Sequence, residues 1–164
     1  MSDKNLPITG GCLCGAVRYE VSEEPYWVGY CHCDMCKRAL GGPFGVWINF
    51  RKQSVTYVAG SPNFYQSSLS TARGFCGSCG SPLMMRMRQG SPGARAESGP
   101  ARKHYPGITR GECVALALGS LDHPERYPPV EHGCADRRIP WLLINDNLRR
   151  TDDPDFGATP ADDV

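Results

Sequence analysis

Residues 45–50 read GVWINF. Val46, Ile48 and Phe50 recur at a period of two, the spacing of side chains along one face of a strand, and β-branched and aromatic residues fit that pleated surface. The alternation returns with Val17, Tyr19 and Val21 in AVRYEV, Val55 and Tyr57 in SVTYVAG, then NFYQSS at 63–68. Leu83, Met85 and Met87 continue it in PLMMRMR, and Val114, Leu116 and Leu118 in CVALALG. Short alternating runs separated by Gly, Pro, Ser and Asn predict antiparallel sheets that bury one face each. Met84, Met85 and Met87 read as packing residues within this pattern rather than as soft-metal ligands.

Only one helix is predicted, over DMCKRAL at 34–40, with Asp34 as N-cap and Gly41-Gly42-Pro43 as the stop. With 164 residues, 40% of them hydrophobic, the chain suits one domain with a modest core. We expect a single zinc-binding domain over 1–148, interrupted at 89–111 by a long flexible loop rich in Gly, Pro, Ser and Arg, and a loosely ordered tail over 149–164. Eighteen Lys and Arg against 17 Asp and Glu give a net charge of +1, which leaves no electrostatic footprint for nucleic acid. No apolar run reaches the roughly 20 residues that span a membrane. The start, MSDKNLPITGG, lacks a basic segment followed by an apolar one, so a cytoplasmic address is expected.

The nine cysteines carry the chemistry. An odd number in a reducing compartment favours metal thiolates over a disulfide framework. Seven fall into three clusters, Cys12-Leu-Cys14, Cys31-His-Cys33-Asp-Met-Cys36 and Cys76-Gly-Ser-Cys79, while Cys113 and Cys134 stand apart. Cys12, Cys14, Cys76 and Cys79 together supply the four thiolates of a closed structural zinc site; buried free thiols are the alternative. Cys31, Cys33 and Cys36 leave three thiolates and an exchangeable fourth position, the pattern of a catalytic zinc, with a metal-free redox trio as the alternative. Cys36 in the first helical turn is placed to favour a thiolate, with Lys37 and Arg38 beside it for an anion. His32 is a candidate fourth ligand, although on an extended CxC segment it points away from the sulfurs. Phe44 and Trp47 follow closely and are candidates to line a substrate cleft; Trp27 and Trp141 read as core or pocket wall.

With these residues placed, the chain resembles the glutathione-dependent formaldehyde-activating family, also called centromere-protein-V-type. The stretches that carry the resemblance are GGCLCGAVRYEV, YCHCDMCKRALGGPFGVW, GFCGSCGSPL, ALGSLDHP and PPVEHGCADRRIPWL, in the family's order across residues 10–142. The resemblance implies a mainly β fold of coiled antiparallel β-sheets with zinc knuckles, similar to zinc-bearing methionine-R-sulfoxide reductases. It implies two Zn2+ per chain, one structural on Cys12, Cys14, Cys76 and Cys79, the other catalytic on Cys31, Cys33 and Cys36. The implied activity is that of a carbon–sulfur lyase joining glutathione, a small-molecule thiol partner, to formaldehyde as S-hydroxymethylglutathione. His32 and His132 are then the candidate acids, and Arg137 and Arg138 the candidates to receive substrate carboxylates. The alternatives are a glutathione- or thiol-binding zinc protein without turnover, a structural or chromatin-type interaction module, and a methionine sulfoxide reductase using Cys134 beside its two arginines.

Overall fold

A computed structural model describes residues 7–87 and 112–152; the loop at 89–111 and the tail from residue 153 lie outside the described residues. Eleven strands and one α-helix are formed among them. In chain order they are β1 (Ile8–Gly11), β2 (Arg18–Val21), β3 (Trp27–Cys31), α1 (Asp34–Leu40), β4 (Gly45–Arg51), β5 (Val55–Ala59) and β6 (Asn63–Gln66). Then come β7 (Thr71–Phe75), β8 (Pro82–Met87), β9 (Cys113–Ala117), β10 (Glu131–Gly133) and β11 (Arg149–Thr151). The fold is mainly β, as the alternation predicts.

Two sheets result, a three-stranded one in the order β1-β2-β5 and an eight-stranded one in the order β11-β10-β3-β4-β9-β8-β7-β6. The larger sheet is mixed rather than antiparallel throughout, because β10 runs parallel to both β3 and β11. β11 also draws Arg149–Thr151, assigned by sequence to the tail, into the sheet edge.

GVWINF lies near the middle of the large sheet, and its register explains the core. Val28, Ile48, Leu116 and Met84 stand side by side across β3, β4, β9 and β8. All four are buried, with Phe50, Tyr19, Val21 and Ile8, between the two sheets. Fully burying each such aliphatic or aromatic side chain contributes about 1.5–3 kcal/mol relative to leaving it in water.

The expectation of one buried face fails here. Trp47, beside Ala117, is 2% exposed, and Met85, beside Ala115, is buried with it on the opposite side of the same strands. The cysteines of the CHCDMC stretch cover that second face, and the small alanines leave room for them. A Cβ on Gly45 would come within 2.6 Å of Trp47 Nε1, so the glycine supplies the space the indole occupies. Met84 and Met85 are packing residues, as expected, but on opposite faces. Trp141 is 75% exposed, contrary to the core reading, because it lies in a turn between β10 and β11.

Helix α1 has the predicted bounds but a different cap. Cys33, with extended backbone (φ −63°, ψ 152°), is the N-cap, and its sulfur accepts the Cys36 N–H at 3.3 Å. Asp34 is instead the first helical residue and pairs with Lys37 at 2.7 Å. Gly41 ends the helix in the left-handed region at φ 65°, its N–H bonded to the Lys37 carbonyl.

Candidate functional site

The first cysteine group is built by two tight turns. Gly15 N–H closes on the Cys12 carbonyl at 3.1 Å, and Gly80 N–H on the Cys76 carbonyl at 2.9 Å. Both glycines need φ near +75° (78° and 74°), which only glycine adopts without strain. The turns bring the sulfurs of Cys12, Cys14, Cys76 and Cys79 within 4.8 Å of one another. Cys12–Cys14 at 3.5 Å and Cys14–Cys76 at 3.8 Å match the edge of about 3.8 Å that a tetrahedron of 2.3 Å zinc–sulfur bonds requires. The Val17 N–H donates to Cys12 Sγ at 3.2 Å and lowers that thiol below its ordinary range. The Ser81 hydroxyl and N–H pull Cys79 down to about 5, whereas Cys14 is pushed up to about 11 because the Ala16 N–H is outweighed by its bonds to Cys12 and Cys79. Four converging sulfurs with N–H and O–H donors aimed at them fit a closed zinc centre.

The second group comes from six consecutive residues. The sulfurs of Cys31, Cys33 and Cys36, all buried, also lie within 4.8 Å of one another, with Cys31–Cys33 at 3.5 Å. Hydrogen bonds from Cys134, Cys31 and Cys36 and the Cys36 N–H hold Cys33 far below the ordinary thiol range. Cys31 and Cys36 move well above it, the former through its bond with Cys134 and the latter through those with Cys31 and Cys33. Three converging buried sulfurs fit a zinc centre with one further position.

Cys134 is no isolated thiol. It is 1% exposed, packed in the same cluster and hydrogen-bonded to Cys31 and Cys33, although outside the set of three that are mutually close. Its bond to Cys31 lowers it, but the bond to Cys33, burial and the neighbouring sulfur charges together push it up to about 12. A buried thiol held in that state is unsuited to the reductase nucleophile considered from sequence.

On the other side of the CxC segment the imidazole of His32 turns away from the sulfurs. His32 Nε2 lies 2.9 Å from His132 Nδ1, and His132 Nε2 lies 2.9 Å from Asp146 Oδ2. His32 and His132 are 3% and 2% exposed, and Tyr30 stacks on His132 at 4.5 Å. The carboxylate accepts from His132 Nε2–H, so His132 Nδ1 accepts from His32 Nε2–H. That assignment leaves His32 Nδ1 with a lone pair and no partner among the described residues. Burial, helped by the positive charges of Lys37, Arg138 and Arg150, lowers His32 to about 4 and keeps it neutral near pH 7. Asp146 is held below the usual carboxylate range by its bond with His132.

The sequence profile described as "Glutathione-dependent formaldehyde-activating enzyme" matches residues 7–104, well over half of the chain. The chain belongs to this family. A Halomonas elongata protein whose name carries the same description is 35% identical over 85 residues, 46% of this chain and 54% of that protein. An uncharacterised lyase of Schizosaccharomyces pombe is 31% identical over 81 residues, 49% of this chain and 58% of that protein. The chain thus spans about half the length of the curated relatives it matches. A solved Rhodobacter sphaeroides structure aligns with a TM-score of 0.46 at 20% identity, over 70% of this chain and 88% of that one.

Within this formaldehyde-activating family member, the residues singled out by sequence take different places. Lys37 donates to the Arg137 carbonyl at 2.9 Å and pairs with Asp34, so it docks α1 onto residues 135–137. Arg38 and Arg138 are exposed, Arg137 half-buried. Phe44 packs edge-on against Tyr30 and His32, while Trp47 forms the floor beneath the second sulfur group. Two residues escaped the sequence reading. Arg73 of β7 lies over the Trp47 ring, 5.9 Å from its centre, with Nη2 3.9 Å from Cys36 Sγ; only the strand register reveals it. Asp146 sits in the irregular stretch NDN, which carries no local signal. Among the described residues no helix is long and apolar enough to cross a membrane.

Proposed function

We propose that the chain is a zinc-dependent carbon–sulfur lyase-type enzyme acting on the adduct of glutathione, or another small thiol, with an aldehyde. The observation that carries this reading is the pairing of two features on one six-residue segment. Three buried, converging thiols lie on one side, and a chain from the half-buried Asp146 through the buried His132 and His32, ending on an acceptor nitrogen, lies on the other.

Cys31, Cys33 and Cys36 would hold the catalytic metal, and Cys12, Cys14, Cys76 and Cys79 a structural one, two zincs per chain. Bound zinc supplies a Lewis-acid position that favours the thiolate of a thiol whose free pKa is about 8.5. His32 Nδ1 takes the proton that the substrate thiol loses. The sulfur lone pair forms the C–S bond, the carbonyl π pair moves to oxygen, and His32 returns the proton to that oxygen; the lyase direction retraces these steps. Asp146 and His132 fix the His32 tautomer. Arg137 and Arg138 would receive the substrate carboxylates, and Phe44 and Trp47 would wall the cleft.

Exchange NMR between 13C-formaldehyde and glutathione measures formation and breakdown of the adduct. The zinc-loaded protein is expected to accelerate exchange over buffer, and His32→Gln to lose roughly 10²-fold of that acceleration. Saturable glutathione binding with no acceleration would replace this reading with a thiol-binding protein.

A further inference from the structure

We propose that Arg73 binds a carboxylate of the thiol substrate at the edge of the Cys31–Cys33–Cys36 group. The proposal rests on the thiol reading of that group and deepens it by naming the kind of thiol that fits, one with a carboxylate within reach of its sulfur.

Four buried side-chain nitrogen or oxygen atoms are without a hydrogen-bond partner among the described residues: His32 Nδ1, Trp47 Nε1, Asn49 Oδ1 and Arg73 Nε. Buried polar atoms are ordinarily paired, so orphans gathered in one place point to a polar ligand. All four belong to the surroundings of the second sulfur group. His32 lies between two of its cysteines, and Trp47 packs in the same cluster as the sulfurs. The strand register sets Arg73, Met85, Ala115 and Asn49 in one row across β7, β8, β9 and β4, on the face that the cysteines cover.

Arg73 is the charged member of this set. Its guanidinium lies over the Trp47 ring, a flat support of the kind arginine favours. Nη1 and Nη2 meet only sulfur, Met85 Sδ and Cys36 Sγ, each at 3.9 Å. Sulfur is a weak acceptor. No carboxylate among the described residues pairs with Arg73, whereas Arg18 and Arg51 each have one. A guanidinium presents its donors as a planar fork that matches a carboxylate in a bidentate pair. A carboxylate held on this fork stands close to the sulfur group, because Nη2 already lies beside Cys36 Sγ. A thiol joined to that carboxylate by a short chain of bonds then reaches the cysteines. Arg73 takes one of the carboxylates of glutathione and leaves the other to Arg137 and Arg138.

Isothermal titration calorimetry of the zinc-loaded protein with S-methylglutathione tests the carboxylate alone, because this thioether keeps both carboxylates and has no thiol. The parent is expected to bind it, and Arg73→Gln to bind it roughly tenfold more weakly or worse, with zinc content and urea midpoint close to those of the parent. Arg73→Lys keeps the charge without the fork and should recover part of the loss; if Arg73→Gln does not fold, the Lys variant alone decides by binding more weakly than the parent. No binding by the parent, or equal binding by parent and variants, would overturn the proposal. Weak binding that accompanies loss of zinc from Arg73→Gln would also overturn it, and would assign the guanidinium to offsetting sulfur charge. Arg73-dependent binding in a protein that does not accelerate adduct exchange would keep this carboxylate site while the lyase reading falls.

Discussion

The two cysteine centres differ in where their sulfurs come from. Cys12 and Cys14 reach Cys76 and Cys79 across some 62 residues of chain, from turns that follow β1 and β7. Cys31, Cys33 and Cys36 come from one stretch, laid on the second face of the large sheet over Trp47 and Met85. A ligand set drawn from distant segments ties the fold together, and metal binding there is folding free energy. A local set can be emptied while the sheet beneath keeps its core. The electrostatics follow the same division. The first centre is partly exposed at Cys14 and ringed by backbone and Ser81 donors, whereas the second is buried beside a guanidinium and a histidine chain.

The largest effect should separate the centres outright. Structural zinc sites contribute about 10–16 kcal/mol of apparent binding energy, as much as the whole stability of an ordinary domain. Cys76→Ser is therefore expected to abolish cooperative unfolding in urea, whereas Cys36→Ser retains a transition. Equal losses in the two variants would erase the distinction. Next in size, Trp47→Ala removes the floor of the second centre and should cost about 3–5 kcal/mol in the same titration. A loss below about 1 kcal/mol would mean that the second face contributes little to folding.

Asp146→Asn probes the histidine chain. A neutral amide no longer enforces the His132 tautomer, so adduct exchange should slow by roughly 10²-fold while the urea midpoint stays close to that of the parent. Unchanged exchange would detach the chain from the chemistry. The smallest effect is expected near the first centre, where Asp122 accepts from Arg18 and from Thr9 at 2.6 Å. Arg18, then Thr9, holds the Asp122 carboxyl below its ordinary value. Its folded pKa is thus depressed, and the stability it contributes is present above the unfolded value near ~3.9 and lost as pH falls through the folded value. Asp122→Asn should lower stability at neutral pH, and its difference from the parent should shrink below about pH 4; a pH-independent difference would show that the pairing is not what matters.

What the sequence disclosed was what its residues settle locally. GVWINF declared a strand, and DMCKRAL between Asp34 and Gly41 declared the helix with its bounds. The two sulfur sets were legible from spacing alone. Hidden were the features that depend on register. Trp47 reads from sequence as a cleft-lining candidate, and only the register of β9 and β8 places Ala117, Ala115 and Met85 around it. β10 and β11 have three residues each, too few for a period to be read, yet β10 carries His132 and leads into Cys134. Arg73 and Asp146 reach the site from β7 and from an irregular segment, through contacts no local pattern encodes.

The most direct measurement is zinc per chain by elemental analysis, taken before and after equilibration with glutathione and a weak chelator, with circular dichroism recorded alongside. Two centres of different kind predict about two zincs per chain, one of them responsive to thiol or chelator without loss of the β signal. About one zinc per chain, indifferent to glutathione and lost only with the fold, would contradict the account.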